Sequence, residues 1–183
     1  MTRPNTSPSA GPPDAAVEQL TPTAAQTIQL LLNRDCTVAT CESLTGGGIG
    51  VALTSVAGAS AVFRGGLITY ASDLKASLAG VDAEFIAEHG VINEHTAKQM
   101  AVGAAWNCRA DVGVSCTGVA GPDDEDGEAP GTVWLGLALP PRWDDPIRAR
   151  LLSLEGDRGQ IRAQTIASAL TWLNECLREP AHG

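Results

Sequence analysis

The stretch CTVATCESLTGGGIGVALTSV, residues 36–56, changes pattern midway. It opens on CTVAT, which is short, β-branched and followed at once by small polar residues, as a buried strand is. Its last part, GGGIGVALTSV, reads as a helix that closes near Ala57-Gly58. A strand, a turn of small residues and a helix N-terminus in succession form the unit of an open α/β sheet, and such sheets place ligands at the carboxyl ends of their strands. The turn CESLTGGG therefore falls where backbone N–H groups and hydroxyls meet an anion or a developing oxyanion. Its spacing is neither G-x-x-x-x-G-K-[ST] nor G-x-G-x-x-G, so the two common nucleotide cradles do not apply, and it is not G-x-S-x-G although Ser43 follows a strand. On the residues alone, two readings stand level: a loop that presents Ser43, and a glycine turn needed only for close helix packing.

Outward from this unit, helical and strand patterns alternate. Upstream, TPTAAQTIQLLLNRD offers Thr21 as N-cap, Pro22 at the first helical position, and Ala25, Ile28, Leu31 and Leu32 on one face. Residues 1–20 hold four of the eleven prolines and little apolar periodicity, so a disordered tail is expected there and one domain over 21–180. Downstream, FRGGLITYA predicts a second strand, with a bulge or close backbone approach at its glycine pair. SDLKASLAG and DAEFIAEHG predict short helices closed by glycine. NEHTAKQMAVGAAWNCRA predicts an amphipathic helix with Asn93 as N-cap and Ala97, Met100, Ala101, Ala104 and Ala105 as its apolar stripe. DVGVSCTGVAG, GTVWLGLALP and IRARLLSL predict three more strands, and DRGQIRAQTIASALTWLNECL a long last helix. The expected architecture is a three-layer α/β/α sandwich around about five strands.

Composition narrows the function. At 183 residues, 44% hydrophobic and 4% aromatic, the chain suits one compact α/β core. No apolar run approaches the roughly 20 residues of a spanning helix, and the Pro- and Ser-rich start has no secretory apolar core. A cytoplasmic protein with no membrane partner is expected. A net charge of -9 disfavours a nucleic-acid partner. The five cysteines show no C-x-x-C spacing, so neither a disulfide framework nor a metal knuckle is expected.

If Ser43 is a nucleophile it needs a base. The histidines are poorly placed for that: His182 is at the end of the chain, His95 in a helix's first turn, and His89 before a capping glycine. Lys75 follows the second strand and so falls near the same sheet edge as Ser43; desolvated, it loses its proton near neutral pH, and otherwise it is a solvated lysine on a short helix. Tyr70, the one tyrosine, reads as a strand-end residue of the core edge or of the site. Ser115, Thr117 and Gly118 add hydroxyls and a flexible backbone at the third strand's end. Arg158 and Arg162 share a face in the first turns of the last helix, against its dipole. An anionic ligand accounts for them, as does pairing with Asp157 or another carboxylate. AGPDDEDGEAPG, with Asp123, Asp124, Glu125, Asp126 and Glu128, is a loop.

Taken in order, ATCESLTGGGIG, GASAVFRGGLITYASDLK, SCTGVAGPDD, GTVWLGLA and GDRGQIR resemble the CinA C-terminal domain family over about residues 22–178. The resemblance implies a mixed, mostly parallel sheet and, as in the family's active members, hydrolysis of the carboxamide of nicotinamide mononucleotide to nicotinate mononucleotide and ammonia. It implies no metal or other cofactor, a pyridine mononucleotide as small-molecule partner, and self-association. Carried over by motif, Ser43 is the nucleophile, Lys75 its base, and Tyr70 completes the catalytic group. Substrate binding then falls to Thr45, Gly46, Gly47, Ser60, Thr117, Gly118, Gly121, Arg158 and Arg162. Backbone N–H groups near Thr45 to Gly47 are expected to hold the oxyanion, and Arg158 with the 117–121 loop the phosphate and ribose. The chain departs from the family pattern at Leu44, usually cysteine, at Ser72-Asp73, usually Asn-Glu, and at the 123–128 loop, which is acidic and lacks the usual lysine. A non-catalytic binding or regulatory protein, and an amidohydrolase for a related pyridine nucleotide, are the alternatives.

Overall fold

The computed structural model describes residues 15–181. Along the chain run α1 (Ala15–Asn33), β1 (Val38–Glu42), α2 (Gly48–Thr54), β2 (Phe63–Ile68), α3 (Ser72–Ala79) and α4 (Ala83–His89). After them come α5 (Glu94–Cys108), β3 (Val112–Gly118), β4 (Thr132–Ala138), β5 (Ile147–Ser153) and α6 (Arg158–Arg178). One five-stranded sheet has the order β2-β1-β3-β4-β5. β1 pairs in parallel with β2 and β3, β4 runs antiparallel to β3, and β5 antiparallel to β4, so β4 alone opposes the common direction. α1, α2 and α6 cover one face; α5 and α3, with α4 beside α3, cover the other. This is the expected three-layer sandwich with a mixed sheet.

Alternation along β1 feeds both layers. Val38 joins the larger apolar cluster with Ile28, Leu31, Leu170 and Leu173, whereas Ala39 and Cys41 pack with Met100 and Ala104. The predicted bulge lies in β2: Val38 faces Phe63 and Ala39 faces Gly65, which leaves Arg64 as the extra residue. Gly80 and Gly90 close α3 and α4 with φ of 70° and 69°, and the Asn93 side chain accepts from the Thr96 N–H at the start of α5.

Two boundaries differ from expectation. α1 begins at Ala15, ahead of Thr21, and contains Pro22, so residues 15–20 of the expected tail are helical; residues 1–14 lie outside the described ones. A proline lacks only the donor to the carbonyl four residues back, so it resembles a helix start even where a turn precedes it. β1 begins at Val38 rather than Cys36 and runs on through Glu42, which places that carboxylate inside the sheet.

α5 lies with its backbone directly on the sheet. A Cβ at Gly113 of β3 would stand 1.9 Å from the Ala101 carbonyl oxygen, and one at Gly136 of β4 2.1 Å from that of Ala97. The Ser115 hydroxyl between them donates to the Ala97 oxygen at 2.6 Å. Among the described residues, no helix is long and apolar enough to cross a membrane.

Candidate active site

The carboxyl ends of β1, β2 and β3 meet at a cleft of about 230 Å³ whose lining includes Ser43, Leu44, Tyr70, Gly118, Gly121 and Arg158. Ser43 directly follows β1 and is 8% exposed. The Lys75 Nζ donates to its Oγ at 3.2 Å and to the Thr69 carbonyl oxygen at 2.9 Å. Lys75 reaches this point because it shares a face of α3 with Ala79, one turn on, and the face that buries Ala79 carries the lysine under the strand ends, 1% exposed. Burial lowers the Lys75 pKa from its ordinary value, opposed in smaller part by the Glu125 and Asp126 carboxylates. The nearby thiols are pushed the other way by burial, Cys41 up to about 11 and Cys116 up to about 12, so neither is a thiolate at neutral pH.

The loop after Ser43 is clamped from two sides. Below it, the buried Glu42 carboxylate accepts from the Thr45 hydroxyl at 2.7 Å, the Ile49 N–H at 3.0 Å and the Gly50 N–H at 2.9 Å. Above it, the Arg162 guanidinium donates to the Leu44 and Thr45 carbonyl oxygens at 3.0 and 2.9 Å. Gly46 and Gly47, with φ of 61° and 97°, turn the chain between these anchors. Glu42→Gln sets an amide donor against a backbone donor in this clamp. The expected loss of unfolding free energy is about 2 kcal/mol, read by urea denaturation.

Arg158 ties three segments at the cleft mouth. It donates to the Tyr70 hydroxyl at 2.7 Å and to the Gly121 carbonyl oxygen at 2.8 Å, while Tyr70 itself is 56% exposed. Asp157 pairs with neither arginine; its carboxylate accepts from the Gln160 N–H in a capping box at the start of α6.

Of the residues singled out from sequence, Ser43, Lys75, Tyr70, Gly118, Gly121 and Arg158 come together here. The others are placed elsewhere. The Thr45 hydroxyl faces Glu42, the Gly46 N–H donates to the Ser43 carbonyl oxygen, and Gly46 and Gly47 open on a shallow groove beside Ile68. The Thr117 hydroxyl points into the α5 layer and donates to the Val91 carbonyl oxygen at 2.8 Å. Arg162 holds the loop rather than lining the cleft. Ser60 precedes β2 and so lies at the opposite, amino end of the sheet, beside Thr54 and Phe63. The sequence reading missed Glu42 and Thr69; Leu44 and the acidic loop, set apart there as departures from the family pattern, both line the cleft, the loop through Asp123, Asp124 and Glu125. An acidic residue closing a β-branched run was the available signal for Glu42. Among the described residues, no group of three or more His, Cys, Asp or Glu side chains is placed to hold a metal ion.

Residues 20–177 match the model of the CinA C-terminal domain. A "Putative competence-damage inducible protein" of Limosilactobacillus fermentum is 44% identical over 85% of this chain, which spans only 37% of that longer protein. The "Nicotinamide-nucleotide amidohydrolase PncC" of Escherichia coli is 42% identical over 79% of this chain and 87% of its own length. Among solved structures, a competence-damaged protein (CinA) superfamily protein from Klebsiella pneumoniae superposes with a TM-score of 0.81 at 28% identity, covering 86% of this chain and 97% of its own. The competence/damage inducible protein CihA from Agrobacterium tumefaciens gives 0.80 at 33% identity, covering 93% and 99%.

Proposed function

The chain belongs to the CinA C-terminal domain family, and we propose that it is an amidohydrolase that cleaves the carboxamide of nicotinamide mononucleotide to nicotinate mononucleotide and ammonia. The observation that carries this reading is the buried Lys75 Nζ, 3.2 Å from the Ser43 Oγ at the floor of a cleft. The likeness to an amidohydrolase at 42% identity supports it.

Neutral Lys75 takes the Ser43 hydroxyl proton as Oγ attacks the carboxamide carbon. Charge develops on the carboxamide oxygen, and we assign its donor to the Leu44 N–H because Leu44 directly follows the nucleophile and lines the same cleft; one such donor is worth about 3 kcal/mol. The Gly46 and Gly48 N–H groups are already bound, to the Ser43 and Thr45 carbonyl oxygens, and are not the donors. Lys75, now an ammonium, returns its proton to the departing nitrogen as the C–N bond breaks and ammonia leaves. Water then attacks the Ser43 ester with Lys75 again as base, releasing the carboxylic acid and restoring the hydroxyl. Tyr70 presents its exposed ring to the pyridinium, and Arg158 faces the phosphate.

The test is ammonia release from nicotinamide mononucleotide by the purified chain, followed against pH. The reactive form of Lys75 is the neutral amine and burial lowers its pKa, so kcat/KM is expected to rise with pH through a value below that of an ordinary lysine and then level off. No ammonia at any pH, or a rate that falls across this range, rules the reading out.

A further inference from the structure

The lining of the cleft holds more acidic than basic side chains. Asp123, Asp124 and Glu125 line it beside Ser43, against the single guanidinium of Arg158. Among the described residues, none of the three carboxylates is in an ion pair. The backbone of their loop is held in place. Glu125 and Glu128 exchange backbone hydrogen bonds at 3.1 and 2.9 Å, and the Asp126 carboxylate accepts from the Val91 N–H at 2.9 Å. The base of the loop is closed by Val119 N–H to Thr132 O and Gly131 N–H to Val119 O, each at 2.9 Å. With Lys75 neutral in its working form, the cleft carries three negative charges and one positive.

An N-ribosylated pyridinium carboxamide is a cation. A 5′-phosphate adds up to two negative charges and turns the molecule into an anion. Carboxylates at the mouth of a cleft attract the first and repel the second, most strongly at low salt. We propose that the wall of Asp123, Asp124 and Glu125 selects for cationic substrates, so that the unphosphorylated pyridinium nucleoside is turned over with a higher kcat/KM than its 5′-phosphate. This rests on the amidohydrolase reading above, and on the carboxylates sharing a cleft with the buried Ser43–Lys75 pair rather than on the carboxylates alone.

The experiment measures kcat/KM of the full chain for nicotinamide riboside and nicotinamide mononucleotide, at low and high salt. The same values are taken for the triple variant Asp123→Asn, Asp124→Asn, Glu125→Gln, whose substitutions fall on exposed loop positions. The riboside is expected to be favoured. Its advantage should shrink about fivefold or more in the triple variant, and shrink with salt in the natural chain but not in the variant. A natural chain that favours the phosphate, or a ratio that the triple variant leaves unchanged, overturns the inference. If neither compound releases ammonia, the amidohydrolase reading fails by itself. Charge selection is then read from the affinities of the same two compounds by calorimetry, and stands or falls on the same ratio.

Discussion

Ser43→Ala is expected to lower ammonia release by about 10³-fold or more, because in the proposed mechanism the nucleophile and its base act as a unit and the loss of either removes the covalent route. Lys75→Met should fall to a similar level. Lys75→Arg should not rescue it, since a guanidinium keeps its proton and cannot serve as base. The hydroxyl removed makes one contact at 3.2 Å, with Lys75, so the Ser43→Ala variant should fold and retain the architecture around the cleft. A coupled ammonia assay on each variant decides the matter. Activity within about tenfold of the natural chain after Ser43→Ala would eliminate Ser43 as nucleophile.

The largest expected effect on stability lies away from the cleft, at Gly113. A methyl group there meets the Ala101 carbonyl oxygen at 1.9 Å, and at Gly136 of β4, the partner of Ser115, one would stand 2.1 Å from the Ala97 oxygen. The obstacle is backbone on both sides, which no rotamer change relieves. Gly113→Ala should therefore lower the unfolding free energy by about 3 kcal/mol or more, a large share of what a domain of this size has. Urea unfolding of the variant measures this; a loss under about 1 kcal/mol would mean that α5 can lift off the sheet at little cost.

Element type and order were legible from periodicity and turn residues. Each of the five strands falls on a run picked out from sequence, and Gly80, Gly90 and Asn93 cap where they were expected to. The site was legible where a residue's position along its element also sets its direction. Ser43 ends β1, and Lys75 lies one turn before buried Ala79. Direction across a strand or within a loop left no such mark. Thr117 sits on the strand end that faces the cleft, yet the pleat turns its hydroxyl into the α5 layer, towards Val91. Arg158 and Arg162 share a helical face, as their spacing requires, but only the first reaches the cleft mouth. Ser60 was carried over by motif alone, and the path of the chain before β2 takes it to the far end of the sheet. Glu42 needed the strand to run two residues past the apolar pattern, and its one mark was an acidic residue at the close of a β-branched run.

The closed base of the β3–β4 loop sets two parts of the cleft on different elements. The Ser43–Lys75 pair is set by the end of β1 and by α3. The electrostatic character of the mouth belongs to residues between Val119 and Gly131, whose backbones are pinned to each other at the stem. The loop is therefore a cassette. A different insert on the same stem would change which ligands the mouth admits and, because Glu125 and Asp126 act on Lys75, would also shift the proton affinity of that amine.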